Sequence, residues 1–334
     1  MKRLVRISVA VSALVLVVCF FACTRTGNKS AGPAEKITIA YSATTDAVLA
    51  EVSQSRGYYR EEGLETVLHR HPYGKPALKE VLEGRADFAT VAETPVMFAI
   101  MKGEKISIIA TIQTSSRVNA VIARKDKGIV TLKDLKDRKI AATFGTTSEF
   151  FMDAILVSHG VLRKNVQVID LTAEEMPDAL ARGEIDAAST FIPYINYAQK
   201  KLGNRGITFY DKDIYSWTFN IVATQEFIRK NPEKVKKLLR ALIKAEEFVK
   251  QNPDVAQKIV AGFSGVDLAI VRDIWADASF SVSLDQSLLL ALEDESRWAI
   301  KGGRTTGTNI PNYLDFIYLD GLASVNPKAV RILR

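Results

Sequence analysis

Two stretches about a hundred residues apart follow one plan. Residues 82–95 read LEGRADFATVAETP, and residues 180–193 read LARGEIDAASTFIP. Each has a Leu, a Gly, an Asp three residues after that Gly, a short run of small strand-forming residues and a closing Pro. Their surroundings repeat too, as strand, loop, helix, strand, helix, Gly-x-x-Asp, strand and Pro. Ile37 to Asp87 spans 50 residues, and Ile140 to Asp186 spans 46. A supersecondary unit written twice implies two lobes of like construction. Strands alternating with helices imply mostly parallel sheets covered on both faces.

In the first unit, KITIAYS alternates Ile37, Ile39 and Tyr41 as a strand. The loop SATTD leads into a helix from Ala47 that stops at Gly63. ETVLHRH is a second strand, PALKEVLEG a helix, ADFATVA a third strand, and ISIIATI a fourth after the helix that begins at Pro95. The second unit runs RKIAATF, the loop GTTSE, the helix FFMDAILVSHG, VQVIDL, EMPDALARG and IDAAST. NAVIAR from Asn119 and NIVATQ from Asn220 resemble each other and read as two strands crossing a hinge. The second lobe, 124–219, is then an insertion in a first lobe made of 36–123 and 220–334. Beyond it the chain is helical. NPEKVKKLLRALIKAEEFVKQNP puts Val235, Leu238, Leu239, Leu242, Ala245 and Val249 on one face. With Pro232 in its first turn, it is expected to pack on the first lobe.

The chain starts with Lys2, Arg3 and Arg6 and an apolar run from Ile7 to Ala22, followed by Cys23. A run of sixteen residues is short for a spanning helix. The segment looks like a bacterial lipoprotein signal: 1–22 is removed, and Cys23 becomes the acylated, membrane-held first residue. Residues 23–35 are a polar tether. Cys19 and Cys23 are the two cysteines of the chain, so the body has no disulfide, thiolate metal site or Cys nucleophile. The formal charge is +7. Taking the three leader cations from 45 leaves 42 against 38 acids, or +4, without basic blocks, which argues against a nucleic-acid partner.

The order and spacing of GYYREEGLETVL, LEGRADFAT…TP, TLKDLKDRKIAATFGTTSEFF and LARGEIDAASTFIPYI resemble the substrate-binding proteins of ABC importers for nitrate, sulfonates, taurine and thiamine-precursor pyrimidines. The likeness runs over about 36–330. It implies an α/β, two-lobed periplasmic-binding-protein fold of type II. It also implies a monomer that closes on a small organic solute in the cleft, docks on a membrane permease and needs no cofactor or metal. Two alternatives are kept. One is a sensory lipoprotein using the same lobes. The other is an enzyme like the pyrimidine synthase of the fungal thiamine pathway, whose Cys-rich iron segment has no counterpart here.

In open α/β sheets ligands sit beyond the carboxyl ends of the strands. That rule selects SATTD, HPYG, AETP, GTTSE and FIP, and from them Ser42, Thr44, Thr45, Tyr73, Glu93 and Thr94. GTTSE adds Gly145, Thr146, Thr147 and Ser148, a small residue and three hydroxyls at a helix start suited to an anion. The same loop also reads as a capping box, Thr146 with Glu149. Phe191 and Trp217 are candidate apolar walls. Glu93 and Phe191, each two residues before its Pro, are expected to face the ligand from opposite lobes, unless Glu93 turns away to cap its helix. Asp87 and Asp186 are read as turn residues. His69 and His71 lie on one strand face without a third metal ligand in view.

Overall fold

Strand β1 (Glu35–Ser42) opens the body, with Ile37 and Ile39 buried. In the computed structural model residues 33–333 are described, and the segment from Glu35 onward forms one compact unit. The leader 1–22, the acylation site Cys23 and nearly all of the tether 23–35 lie outside the described residues. After the helix Val48–Arg56 come β2 (Leu64–His71), the helix Gly74–Leu82, β3 (Phe88–Ala92), the helix Glu93–Met101 and β4 (Ile106–Ser115). The second unit holds β5 (Asn119–Arg124), β6 (Lys139–Ala142), the helix Thr147–Ser158, β7 (Gln167–Asp170), the helix Met176–Arg182, β8 (Ala187–Phe191), the helix Tyr194–Leu202 and β9 (Gly206–Phe209). The chain returns through β10 (Trp217–Thr224). Longer helices follow, among them Pro232–Gln251 and Gln286–Lys301, with the short strands β11 (Ala278–Ser279), β12 (Leu284–Asp285) and β13 (Val330–Arg331).

Two sheets carry the lobes, in the orders β11-β4-β10-β3-β1-β2 and β7-β6-β8-β5-β9. Within the first, β1 runs parallel to β2 and β3, and β10 is reversed between β3 and β4. Within the second, β6 runs parallel to β7 and β8, and β5 is reversed between β8 and β9. NAVIAR is therefore the reversed strand of the second sheet, with Asn119 opposite Phe191. NIVAT is the reversed strand of the first, with Asn220 opposite Val91. The chain changes sheets between Ser115 and Asn119 and again between Phe209 and Trp217. Both exchanges fall several residues before the 123/124 and 219/220 boundaries expected from sequence. A β-branched apolar run announces a strand; its partner is set by register and burial across the fold.

The repeated Asp has a defined structural task. The amide of Asp87 donates to the Thr38 carbonyl (3.0 Å), and its carboxylate accepts the Thr38 amide (2.8 Å). Asp186 does the same with Lys139, at 2.8 and 2.9 Å. Each Asp thus pins the first inner strand of its lobe, just after a helix that ends at a glycine in the left-handed region, Gly84 (φ 71°) or Gly183 (φ 79°). Losing a hydrogen bond to a charged group of this kind costs about 1.5–3 kcal/mol. Asp87→Ala is expected to lower the urea midpoint accordingly while leaving solute affinity unchanged. A variant as stable as wild type would remove Asp87 from this role.

The helix Pro232–Gln251 buries the face expected of it, with Val235, Leu238, Leu239, Leu242, Ala245 and Val249 inside. Those side chains join one core with β1, β3, β4 and β10. No helix among the described residues is long and apolar enough to cross a membrane.

Candidate functional site

The carboxyl ends of the parallel strands in both lobes converge on a cavity of about 30 Å³, room for one or two waters. The first lobe contributes Asp46 from the loop after β1, Tyr73 and Lys75 where β2 passes into its helix, and Ala92 and Pro95 around the end of β3. From the second come Thr146, Thr147 and, at the end of β8, Phe191. Val118 and Trp217 belong to the two crossings, and Phe219 lies next to them on β10. Tyr73, Phe191, Trp217 and Phe219 form an aromatic part of its wall. Tyr73 and Phe191 face each other across the lobes with ring centres 6.0 Å apart, and Trp217 stacks on Phe219 at 5.2 Å.

The cleft is shut by contacts between lobes. Lys75 Nζ donates to the Phe144 carbonyl (2.7 Å), and Tyr194 Oη donates to the Pro72 carbonyl (3.2 Å). Farther out, Trp298 and Arg304, carried on the first lobe by the helix Gln286–Lys301 and the turn after it, reach the helix Thr147–Ser158 of the second. Trp298 Nε1 donates to Asp153 (2.8 Å), and Arg304 pairs with Glu149 (2.9 Å) and with Asp153. The Trp298 ring packs between Phe98 of the first lobe and Phe150 of the second, and Arg304 lies over its face. Arg163 binds the same two carboxylates from within the second lobe, at 3.1 and 2.7 Å. Outside the Lys75–Phe144 bridge a groove of about 870 Å³ shares Tyr73, Lys75 and Pro95 with the cavity.

Of the residues singled out by sequence, Tyr73, Thr146, Thr147, Phe191 and Trp217 line the cavity, and Gly145 lines the outer groove. The other six sit elsewhere. Ser148 accepts the Thr143 amide on its hydroxyl (2.9 Å) and the Ser189 hydroxyl on its carbonyl (2.8 Å), tying the helix to β6 and β8. Ser42 and Thr44 stand behind the cavity as a relay: their hydroxyls are 2.8 Å apart, and Thr44 donates to Asp46 Oδ2 at 2.7 Å. Thr45 is buried beside them. Thr94 donates to Glu295 at 2.6 Å.

Glu93 is the main correction. It begins the helix Glu93–Met101, is fully buried, and accepts the Thr218 amide and hydroxyl, both at 3.0 Å. Its direction follows from strand register. Counted from the pinning Asp residues, Phe191 matches Ala92, and both line the cavity; Glu93 matches Ile192, and both point away into packing. Counting back from the prolines misaligns the copies by one residue, because the first has one more between Asp and Pro. Glu93 instead faces Glu295, and burial pushes its carboxyl up to about 8. Burial and the neighbouring Glu93 charge push Glu295 well above the usual range.

Asp46 and Lys75, the two charged groups lining the cavity among the described residues, are not singled out by sequence. Asp46 is 5% exposed, and burial pushes its carboxyl up to about 7 against the lowering effect of the Thr44 and Thr45 hydroxyls. Burial lowers the Lys75 amine. An acid at the end of a hydroxyl-rich strand-end loop was the available signal for Asp46, but it reads equally well as a helix cap. His69 and His71 both face Glu80, at 2.6 and 3.4 Å. Among the described residues no group of three or more His, Cys, Asp or Glu is placed to hold a metal.

Comparison with known proteins agrees with this geometry. A family model described as NMT1/THI5 like matches residues 46–256. A putative aliphatic sulfonates-binding protein of Bacillus subtilis (strain 168) is 24% identical over 228 residues, 67% of this chain and 68% of its own. The taurine-binding periplasmic protein of Escherichia coli (strain K12) is 25% identical over 218 residues, 64% of this chain and 66% of its own. The crystal structure of the periplasmic aliphatic sulphonate binding protein SsuA from Escherichia coli superposes with a TM-score of 0.72 at 16% identity, over 86% of this chain and 98% of that one. Two lobes joined by two crossings, closed on a cavity at the strand ends, have the architecture of the periplasmic binding proteins, and the chain belongs to the NMT1/THI5-like family.

Proposed function

We propose that this chain is the extracytoplasmic solute-binding component of an ABC importer, taking up a small organic ligand of the sulfonate, taurine-like or aminopyrimidine kind and delivering it to a membrane permease. The observation that carries the reading is closure of both lobes over one aromatic-walled cavity with few polar groups, an arrangement suited to solute capture. The names of the relatives, one for aliphatic sulfonates and one for taurine, support the first two of these ligand classes. Acylation of Cys23 would hold the protein at the membrane surface as a monomer, with the residues from 23 up to the start of β1 at Glu35 as its tether. The cycle needs no chemistry. The lobes hinge about 116–118 and 210–216, a solute completes contacts to both, and the closed form gains by the difference in affinity between the two states. Opening is required for entry, because the closed cavity holds only about 30 Å³.

The test is a melting-temperature screen of the purified protein against sulfonates, taurine, nitrate, aminopyrimidines and simple amines. A true ligand at 100 times its dissociation constant should stabilise the protein by about 2.7 kcal/mol. No shift with any member would contradict a transport role for these classes.

A further inference from the structure

We propose that Asp46 is the specificity-determining residue of the cleft and that it seats a cationic or N–H-donating nitrogen of the ligand, an ammonium, amidinium or protonated ring. The inference rests on the reading of the cleft as a solute site and adds the chemistry of the head group.

Four observations converge. Asp46 lines the cavity and is almost wholly buried, yet its two oxygens are treated differently. Oδ2 accepts from Thr44, which Ser42 holds in turn; Oδ1 is buried without a hydrogen bond of normal geometry, with the equally unpartnered Thr45 hydroxyl near it. A carboxylate oriented by a hydroxyl relay and left with an open acceptor is a socket for a donor, since a buried acceptor without a partner is costly. Second, Glu51 stands near Asp46, 1% exposed, with both carboxylate oxygens unpartnered, and the Asp46 charge raises its carboxyl further. A buried acid on the cavity wall, backed by a second that also feels the Arg70 charge, favours a cation at that wall over an anion. Third, Tyr73, Phe191, Trp217 and Phe219 present ring faces and edges around the cavity, surroundings that suit an organic cation.

Fourth, the hydroxyl-rich helix start that sequence suggested for an anion is occupied by its own contacts. The Gly145 amide donates to Glu149 Oε2 (2.9 Å), Thr146 Oγ1 donates to the Thr143 carbonyl (2.6 Å), Thr147 Oγ1 donates to Asn119 (3.2 Å), and the Ser148 amide donates to Thr146 Oγ1 (3.3 Å). Lys75, the one cation among the described residues lining the cavity, also lines the outer groove and so stands at its mouth. That leaves room at the outer end for an anionic or polar tail, and Asp46 reads the inner head.

The experiment compares ligands that differ by one basic nitrogen: taurine with ethanesulfonate, 4-aminopyrimidine with pyrimidine, and ethylamine with ethanol. Affinities are measured by calorimetry on the wild type, Asp46→Asn and Asp46→Ser. The amino-bearing member of at least one pair should bind the wild type at least about tenfold more tightly than its partner. Both variants should lose that preference, with a fall of about 10- to 100-fold for the amino-bearing ligand and less than about threefold for the other. Melting temperatures check that the variants are folded. Equal or tighter binding of the members without the amino group, or a preference that survives both substitutions, overturns this inference and leaves the solute-binding reading standing. Silence across every pair overturns both.

Discussion

Stability should fall by several kcal/mol as the pH is raised from about 5 to about 8. Four carboxyls buried in the first lobe, Asp46, Glu51, Glu93 and Glu295, are each raised by desolvation, Asp46 to about 7 and Glu93 to about 8. Their unfolded values lie near 4. Folding therefore takes up protons between the two sets of values, and the folded state loses ground as pH rises through that window. Below about pH 4 these groups are neutral in both states and carry no penalty. Asp46 should contribute on the order of 2–3 kcal/mol, and Glu93 on the order of 3–4 kcal/mol, of the fall between pH 5 and pH 8. The opposite trend below pH 4 comes from carboxylates held low by partners, such as Asp285 with Arg331 and Asp277 with Lys212 and Arg117. Urea midpoints at pH 5, 6.5 and 8 test this, and the double variant Glu93→Gln, Glu295→Gln should flatten the decline. A midpoint that rises with pH across this range would show that the pair is not held neutral in the fold.

Arg304→Ala should open the cleft. The guanidinium is 12% exposed and binds Glu149 and Asp153, themselves 4% and 9% exposed, across the lobes. Removing one member of so buried a set leaves carboxylates short of a partner, a cost of about 3–5 kcal/mol when no relief is available. Here relief is available. Opening exposes Glu149 and Asp153 to water, and Arg163, on their own lobe, stays with them. The penalty therefore falls on the closed form, and a shift of at least about tenfold towards the open form is expected. Unfolding stability should change little, because neither lobe loses core packing.

How much of this was legible in the sequence depends on the distance over which each residue is decided. The buried face of Pro232–Gln251 was legible because a 3.6-residue period is written locally, and Val235 through Val249 keep it without a break. The two lobes were legible because Gly-x-x-Asp recurs in matching surroundings. The reason for the recurrence was not, since Thr38 and Lys139, the strand residues that the two acids pin, lie 49 and 47 positions away. NAVIAR and NIVAT were legible as strands but not as members of a particular sheet. Among the residues that line the cavity, Tyr73, Thr146, Thr147 and Phe191 were reached by the rule that places ligands beyond strand ends, and Trp217 as a candidate apolar wall. The same rule admitted Glu93, because it cannot tell the last strand residue from the first helical one. That single step separates Ala92, on the cavity, from Glu93, turned to Thr218 at a sequence distance of 125. Asp46 was in view within SATTD and gave no local sign that its second oxygen would be left open.

The central claim is that two lobes hinge shut on a small solute, and small-angle X-ray scattering of the Arg304→Ala variant tests it most directly. Without solute the variant should have a larger radius of gyration than wild type. On titration with the ligand identified in the melting screen it should contract to the wild-type value, saturating at one solute per chain. A variant that is already as compact as wild type, or one that binds solute without contracting, would contradict the account.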